Sequence, residues 1–134
     1  MEKREPMPTK SNAQKLLLKE GYRVLFVHPP ENQAELLGEL PPKITVVEDA
    51  GSPVDFILAY IADRRELEKH LGELKKRLKP KGLLWIAYHK GTSKIKTDIN
   101  RDTINGYAHT LGMEGIAMIS MDDDWSALRI RISS

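Results

Sequence analysis

The chain alternates short, unbroken apolar runs with stretches of helical period. Val24-Leu25-Phe26-Val27, Phe56-Ile57-Leu58-Ala59-Tyr60-Ile61 and Leu83-Leu84-Trp85-Ile86-Ala87-Tyr88 contain no charged residue. Such runs are expected of strands covered on both faces in a parallel sheet. Ile44-Thr45-Val46-Val47 is a shorter, β-branched fourth run. Leu67, Leu71, Leu74 and Leu78 recur at i, i+4, i+7 and i+11, the buried stripe of one helix. Asp63 caps that helix and Glu66 completes a capping box. The helix runs into Lys79-Pro80-Lys81-Gly82, a turn that delivers the chain to the 83–88 run.

The remaining elements follow from caps and breakers. Ser11 and Gln14 have capping-box spacing for a short helix with Leu16, Leu17 and Leu18 inward and Gly21 at its end. His28-Pro29-Pro30 ends the first strand, and a helix from Glu31 to Leu37 follows, closed by Gly38. Thr97 or Asp98 caps a helix carrying Ile99, Thr103, Ile104, Tyr107, Ala108 and Leu111 inward, with Gly112 at its end. Runs 116–121 and 125–132, separated only by Asp122-Asp123-Asp124, predict an antiparallel hairpin. In the last run Leu128, Ile130 and Ile132 alternate with Arg129 and Arg131. That period of two predicts an edge strand with one wet face. It is a candidate edge for homodimerisation, with the two arginines placed to oppose it. About seven residues join the second run to the third, whereas a parallel crossover normally takes a dozen or more and a helix. Either an extended loop runs back along the sheet, or the second strand is antiparallel.

These elements make an α/β fold: a mostly parallel, Rossmann-like sheet with helices on both faces and a C-terminal antiparallel hairpin. With 134 residues, the chain reads as one domain over 11–134 behind a flexible tail, 1–10, where Pro6 and Pro8 block a helix. The absence of cysteine excludes a disulfide framework, a thiolate metal site and a cysteine nucleophile. No apolar run approaches the ~18–20 residues of a membrane span, and the start carries no signal-like segment. A cytoplasmic location is the expectation. A net charge of +2, from 21 basic and 19 acidic residues, argues against a nucleic-acid binder.

Gly21-Tyr22-Arg23-Val24-Leu25-Phe26-Val27 and Leu78-Lys79-Pro80-Lys81-Gly82-Leu83-Leu84-Trp85-Ile86 resemble two pieces of the class I S-adenosylmethionine-dependent methyltransferase fold. These are its first strand with lead-in, and its turn into a central strand. The closing hairpin resembles its last two strands. The resemblance implies a shortened version of that fold. Nearly the whole chain also resembles a family of short bacterial proteins of unknown function. The residues that carry this are Leu83 to Lys90, Thr97-Asp98-Ile99-Asn100-Arg101-Asp102 and Trp125-Ser126-Ala127-Leu128-Arg129. The pattern departs after the first strand. Methyltransferases have a glycine-rich loop there, where only glycine lets the backbone approach the cofactor. This chain has His28-Pro29-Pro30, two residues without an N–H donor and with added bulk. The expectation is a degenerate cleft closed by proline and no cofactor, S-adenosylmethionine included. Glu48 or Asp49, after the second strand, remains in place to meet ribose hydroxyls.

Ligands of open α/β sheets bind at the carboxyl ends of the strands, near a switch in strand order. The residues expected there are His89, Lys90, Asp98, Arg101, Asp102, Trp125 and Ser126. Two readings stand: a polar pocket for an anionic or nucleotide-like ligand, or helix caps, an ion pair and a packed indole. The four histidines lack the close spacing of a metal site, and the three aspartates lack a calcium-loop pattern. Two functions follow as expectations. One is a non-catalytic ligand-sensing or protein-interaction module on a degenerate methyltransferase scaffold. The other is a minimal enzyme or nucleotide/anion-binding protein using the His89-Lys90 edge.

Overall fold

The computed structural model describes residues 10–48 and 51–133; most of the expected tail, and Asp49, lie outside the described residues. The elements in chain order are α1 (Asn12–Lys15), β1 (Arg23–Val27), α2 (Gln33–Leu37), β2 (Thr45–Val46), β3 (Val54–Tyr60), α3 (Arg64–Arg77), β4 (Leu78–His89), α4 (Arg101–Thr110), β5 (Met113–Ser120) and β6 (Trp125–Ile132). They form one sheet in the order β2-β1-β3-β4-β6-β5. β2, β1, β3 and β4 are mutually parallel, whereas β6 runs antiparallel to both β4 and β5. The α/β fold with its closing hairpin is as the runs predict.

Strand alternation sorts the core into two layers. Ile57, Ala59, Leu84 and Ile86 face α3 and α4, packing on Leu67, Leu71, Leu74, Ile104 and Ala108. Phe56, Leu58, Trp85 and Ala87 face α1 and α2, packing on Leu16, Leu36 and Leu37. The α3 stripe is therefore buried as its period requires. Asp63 caps α3 by accepting from the Glu66 N–H at 2.9 Å. α1 has only four residues, too few to persist alone. It is held by its capping box, by Asn12 Nδ2 donating to the carbonyls of Leu36 and Met121, and by Trp85 Nε1 donating to the Leu16 carbonyl at 2.9 Å.

Several expectations are corrected. α1 stops at Lys15 rather than at Gly21, because one turn cannot aim three successive leucines inward. Leu17 takes φ 68° and turns outward while Leu16 and Leu18 are buried. α2 begins at Gln33, after both prolines, and the cap of α4 is Asn100 rather than Thr97 or Asp98. The sheet edge on the hairpin side is β5; β6 lies inside, between β4 and β5. The alternation in β6 has a different origin. Leu128 and Ile130 lie under α4, while Arg131 reaches Glu114 of β5 on the other face, at 2.7 Å.

β2 is parallel to β1, which settles its direction, and its shortness explains the brief crossover. Val46 and Phe56 both pair with Val24, so β2 ends at the height where β3 has just begun. The loop must cross two strand spacings, about 10 Å, and step back slightly. Seven residues, 47–53, reach up to about 23 Å. The turn into β4 is a bulge: Leu78 pairs with Val54 and Leu83 with Phe56. A Cβ on Gly82 would lie 2.9 Å from the Lys79 carbonyl oxygen, so only glycine fits there.

Candidate functional site at the carboxyl ends of the strands

The chain passes from β1 outward to β2 and then back across β1 to β3. Strand order reverses at β1, so the crevice for a ligand opens beside the ends of β1. Because β2 stops beside Val24, the upper half of β1 has no strand on that flank. A cavity of about 570 Å³ occupies the space. Its walls are Leu25, Phe26 and Pro29 on one side, Gln33, Ala34 and Leu37 of α2 above, and Val46 to Glu48 opposite. Gln33 and Glu48 are the polar side chains among the described lining residues. Gln33 Oε1 is buried without a hydrogen-bond partner. A buried acceptor in that state costs about 1–3 kcal/mol unless something donates to it.

The prolines do not close this cleft. Pro29 lies in the cavity wall, and α2 starts only at Gln33, so the 28–32 loop rims the opening. His28 takes φ 53°, the left-handed conformation that glycine adopts most readily. Its half-exposed ring turns toward α3, edge-on to His70 at 5.2 Å and with Nδ1 3.8 Å from Glu66 Oε1. The loop thus keeps a glycine-like turn without a glycine.

The expected constellation around His89 divides across the sheet. On the α3/α4 side, Lys90, Arg101, Asp102 and Ser126 surround a shallow depression of about 350 Å³ with Tyr88. There Lys90 Nζ donates to Ser120 Oγ, and Arg101 lies 3.6 Å from Asp102. Asp98 is elsewhere, accepting from the Arg64 N–H at the start of α3, at 2.8 Å. His89 and Trp125 form a cross-strand pair on the opposite, α1/α2 face, with ring centroids 4.0 Å apart. Lys90, just beyond the end of β4, lines the depression beside Tyr88 and Ser126, and His89 does not. Asp122 accepts from the N–H groups of Asp124 and Trp125, making the aspartate run a hairpin turn.

Two residues were not anticipated as site residues: Gln33 and Tyr60. Tyr60 ends β3, packs edge-on to Trp125 at 5.1 Å, and buries its hydroxyl without a partner. Nothing in an apolar run marks which terminal hydroxyl will be left unpaired. Burial, reinforced by the Asp122 carboxylate, holds the Tyr60 phenol above its ordinary value of 10.0. The folded state therefore grips this proton more tightly than the unfolded chain. Its stabilising contribution is present below pH 10 and is lost as pH rises beyond that. Urea unfolding at rising pH is expected to show stability falling above pH 10, with a shallower fall in Tyr60→Phe. An identical alkaline slope in the variant would contradict the burial of this phenol beside Asp122.

No protein-family model matches the chain, and no curated protein does. Solved structures do. A SAM dependent methyltransferase from Aquifex aeolicus shares 18% identity, with 90% of this chain and 89% of that one covered, at a TM-score of 0.60. The fold is methyltransferase-like. The precorrin-6y C5,15-methyltransferase of Geobacter metallireducens aligns over 91% of this chain and 85% of its own, with 11% identity and a TM-score of 0.57. DhpI in complex with SAH aligns over 90% and 80%, with 8% identity and a TM-score of 0.61. These matches overturn the expectation that S-adenosylmethionine has no place here. One of these structures is described as a SAM dependent methyltransferase and another was solved with SAH, so a fold of this kind does accommodate the cofactor. The physical error lay in treating His28-Pro29-Pro30 as a plug when it forms a rim. Among the described residues no helix is long and apolar enough to cross a membrane, and no three His, Asp or Glu side chains are grouped to hold a metal.

Proposed function

We propose that the protein is a ligand-sensing module that binds S-adenosylmethionine, or its demethylated thioether, in the cavity beside β1 and β2. The observation that carries this is the cavity itself, open where the strand order reverses and lined by apolar side chains with Gln33 and Glu48 among them. The residues present fit the group. Leu25, Phe26, Val46 and Val47 supply apolar surface for an adenine ring, and Glu48 at the end of β2 is placed to accept from ribose hydroxyls. Gln33, in the α2 wall, brings an amide side chain able to donate and accept hydrogen bonds at the edge of the ring. The sensing role rests on the same lining: the two polar side chains provide recognition, and the acid–base groups near the strand ends are divided over two faces.

Thermal unfolding with S-adenosylhomocysteine tests this reading. A ligand bound only to the folded state at one hundred times its Kd stabilises by about 2.7 kcal/mol. For a domain of this size that is a rise of several degrees. An unfolding temperature unmoved by millimolar ligand would count against the proposal.

A further inference from the structure

Two depressions adjoin on the α4 side of the closing hairpin. The first, of about 350 Å³, is lined by Tyr88, Lys90, Arg101 and Ser126. The second, of about 240 Å³, is lined by Ile116, Met118 and Leu128. Arg101, Asp102 and Met118 line both, so the two form one groove, polar at the end of β4 and apolar along β5. The groove is open to solvent: Met118 is 48% exposed and Ile116 37%.

The polar end has donors to spare. Tyr88 is buried, and its hydroxyl donates to the Met118 sulfur at 3.1 Å. A thioether is a weak acceptor, so this O–H is poorly used. Burial raises the pKa of the Tyr88 phenol, with the Arg101 charge and the Ser126 hydroxyl acting against it, so at neutral pH the proton is there to donate. Lys90 Nζ spends one of its three N–H groups on Ser120 Oγ. Arg101 Nε comes only to 3.6 Å from Asp102, beyond hydrogen-bond range, and no other described side chain accepts from its guanidinium. Lys90, Arg101 and Asp102 are the charged lining residues, two positive against one negative.

We propose that this groove binds a monocarboxylate carrying a short apolar tail. The carboxylate accepts from Arg101, whose planar fork matches its two oxygens, from Lys90, and from the Tyr88 hydroxyl, which exchanges a sulfur for a charged oxygen. The tail lies on Met118 and Ile116 against Leu128, covering apolar surface that is otherwise wet. The single excess positive charge suits a monoanion, and Asp102 at the rim opposes a second negative charge. The groove shares no described lining residue with the cavity beside β1 and β2.

The probe is hexanoate, added to the labelled full chain and followed by amide chemical shifts without any adenosyl compound. 1-Hexanol supplies the tail without the charge, and acetate the charge without the tail. Lys90→Gln and Arg101→Gln remove one cation each, and neither side chain is buried. The expected result is saturable binding of hexanoate with the largest changes at Tyr88, Lys90, Arg101 and Met118. Each variant should bind it roughly tenfold more weakly, the usual size of one lost charged hydrogen bond, and hexanol and acetate should bind more weakly still. The proposal is overturned if millimolar hexanoate gives no saturable change, if the changes centre elsewhere, if hexanol or acetate binds as tightly, or if either variant binds hexanoate as the unchanged protein does. Since no adenosyl ligand is used, the outcome is independent of the cavity beside β1 and β2.

Discussion

Trp85→Ala is expected to destabilise the domain by about 3–5 kcal/mol, the usual cost of removing a fully buried large aromatic side chain. Trp85 is only 1% exposed, lies in central strand β4 and packs among α1, β3 and β6. Its Nε1 also donates to the Leu16 carbonyl, so truncation leaves that carbonyl unpaired as well. Against a total stability of about 5–15 kcal/mol, the variant lies near the limit of folding. Trp85→Phe keeps an aromatic ring but loses the rest of the indole and its hydrogen bond, and is expected to cost less than Trp85→Ala. Urea titration followed by circular dichroism reads both. A cost below about 1 kcal/mol for Trp85→Ala would contradict the packing described.

The second large effect is on binding. Ala34 stands in the α2 wall of the cavity and is exposed, so a larger side chain there extends into the opening without breaching the core. Ala34→Trp is expected to abolish the thermal shift produced by S-adenosylhomocysteine. Stability without ligand should change by no more than about 0.5 kcal/mol, as for ordinary surface substitutions. A full shift retained in Ala34→Trp would place the ligand elsewhere.

Much of the frame could be read from local chemistry because local chemistry determines it. The Asp63 cap and the Leu67, Leu71, Leu74 stripe define α3, and the apolar runs at 24–27, 56–61 and 83–88 define three parallel strands, of which the last two are buried. What depended on neighbours distant in sequence was not legible. The alternation in β6 matches the structure at buried Leu128 and Ile130 and exposed Arg131, whereas Ile132 is exposed and Ala127, on the arginines' face, is buried. It carried no information about which strand lies alongside, and β5 took the edge. The Leu16-Leu17-Leu18 run looked helical because its reversal depends on Leu17 adopting φ 68°.

The site was harder for the same reason. His28-Pro29-Pro30 was judged by the bulk and missing donors of its residues. The loop's position depends on α2 starting at Gln33 and on β2 stopping at Val46, which together leave the flank of β1 open. His89 and Lys90 appeared to converge because they are adjacent in sequence, yet His89 ends β4 stacked on Trp125 while Lys90, beyond the strand, reaches Ser120. Gln33 and Tyr60 emerged only from the absence of partners for their buried polar atoms, a property of the folded packing.

The central claim, that an adenosyl ligand lies beside β1 and β2, is tested most directly by mapping amide chemical shifts of the labelled protein as S-adenosylhomocysteine is added. The account predicts that the largest changes fall on Leu25, Phe26, Ala34 and Val46 to Glu48, and that Lys90, Arg101 and Asp102 across the sheet remain still. Changes centred on Lys90 and Arg101, or no changes at saturating ligand, would contradict it.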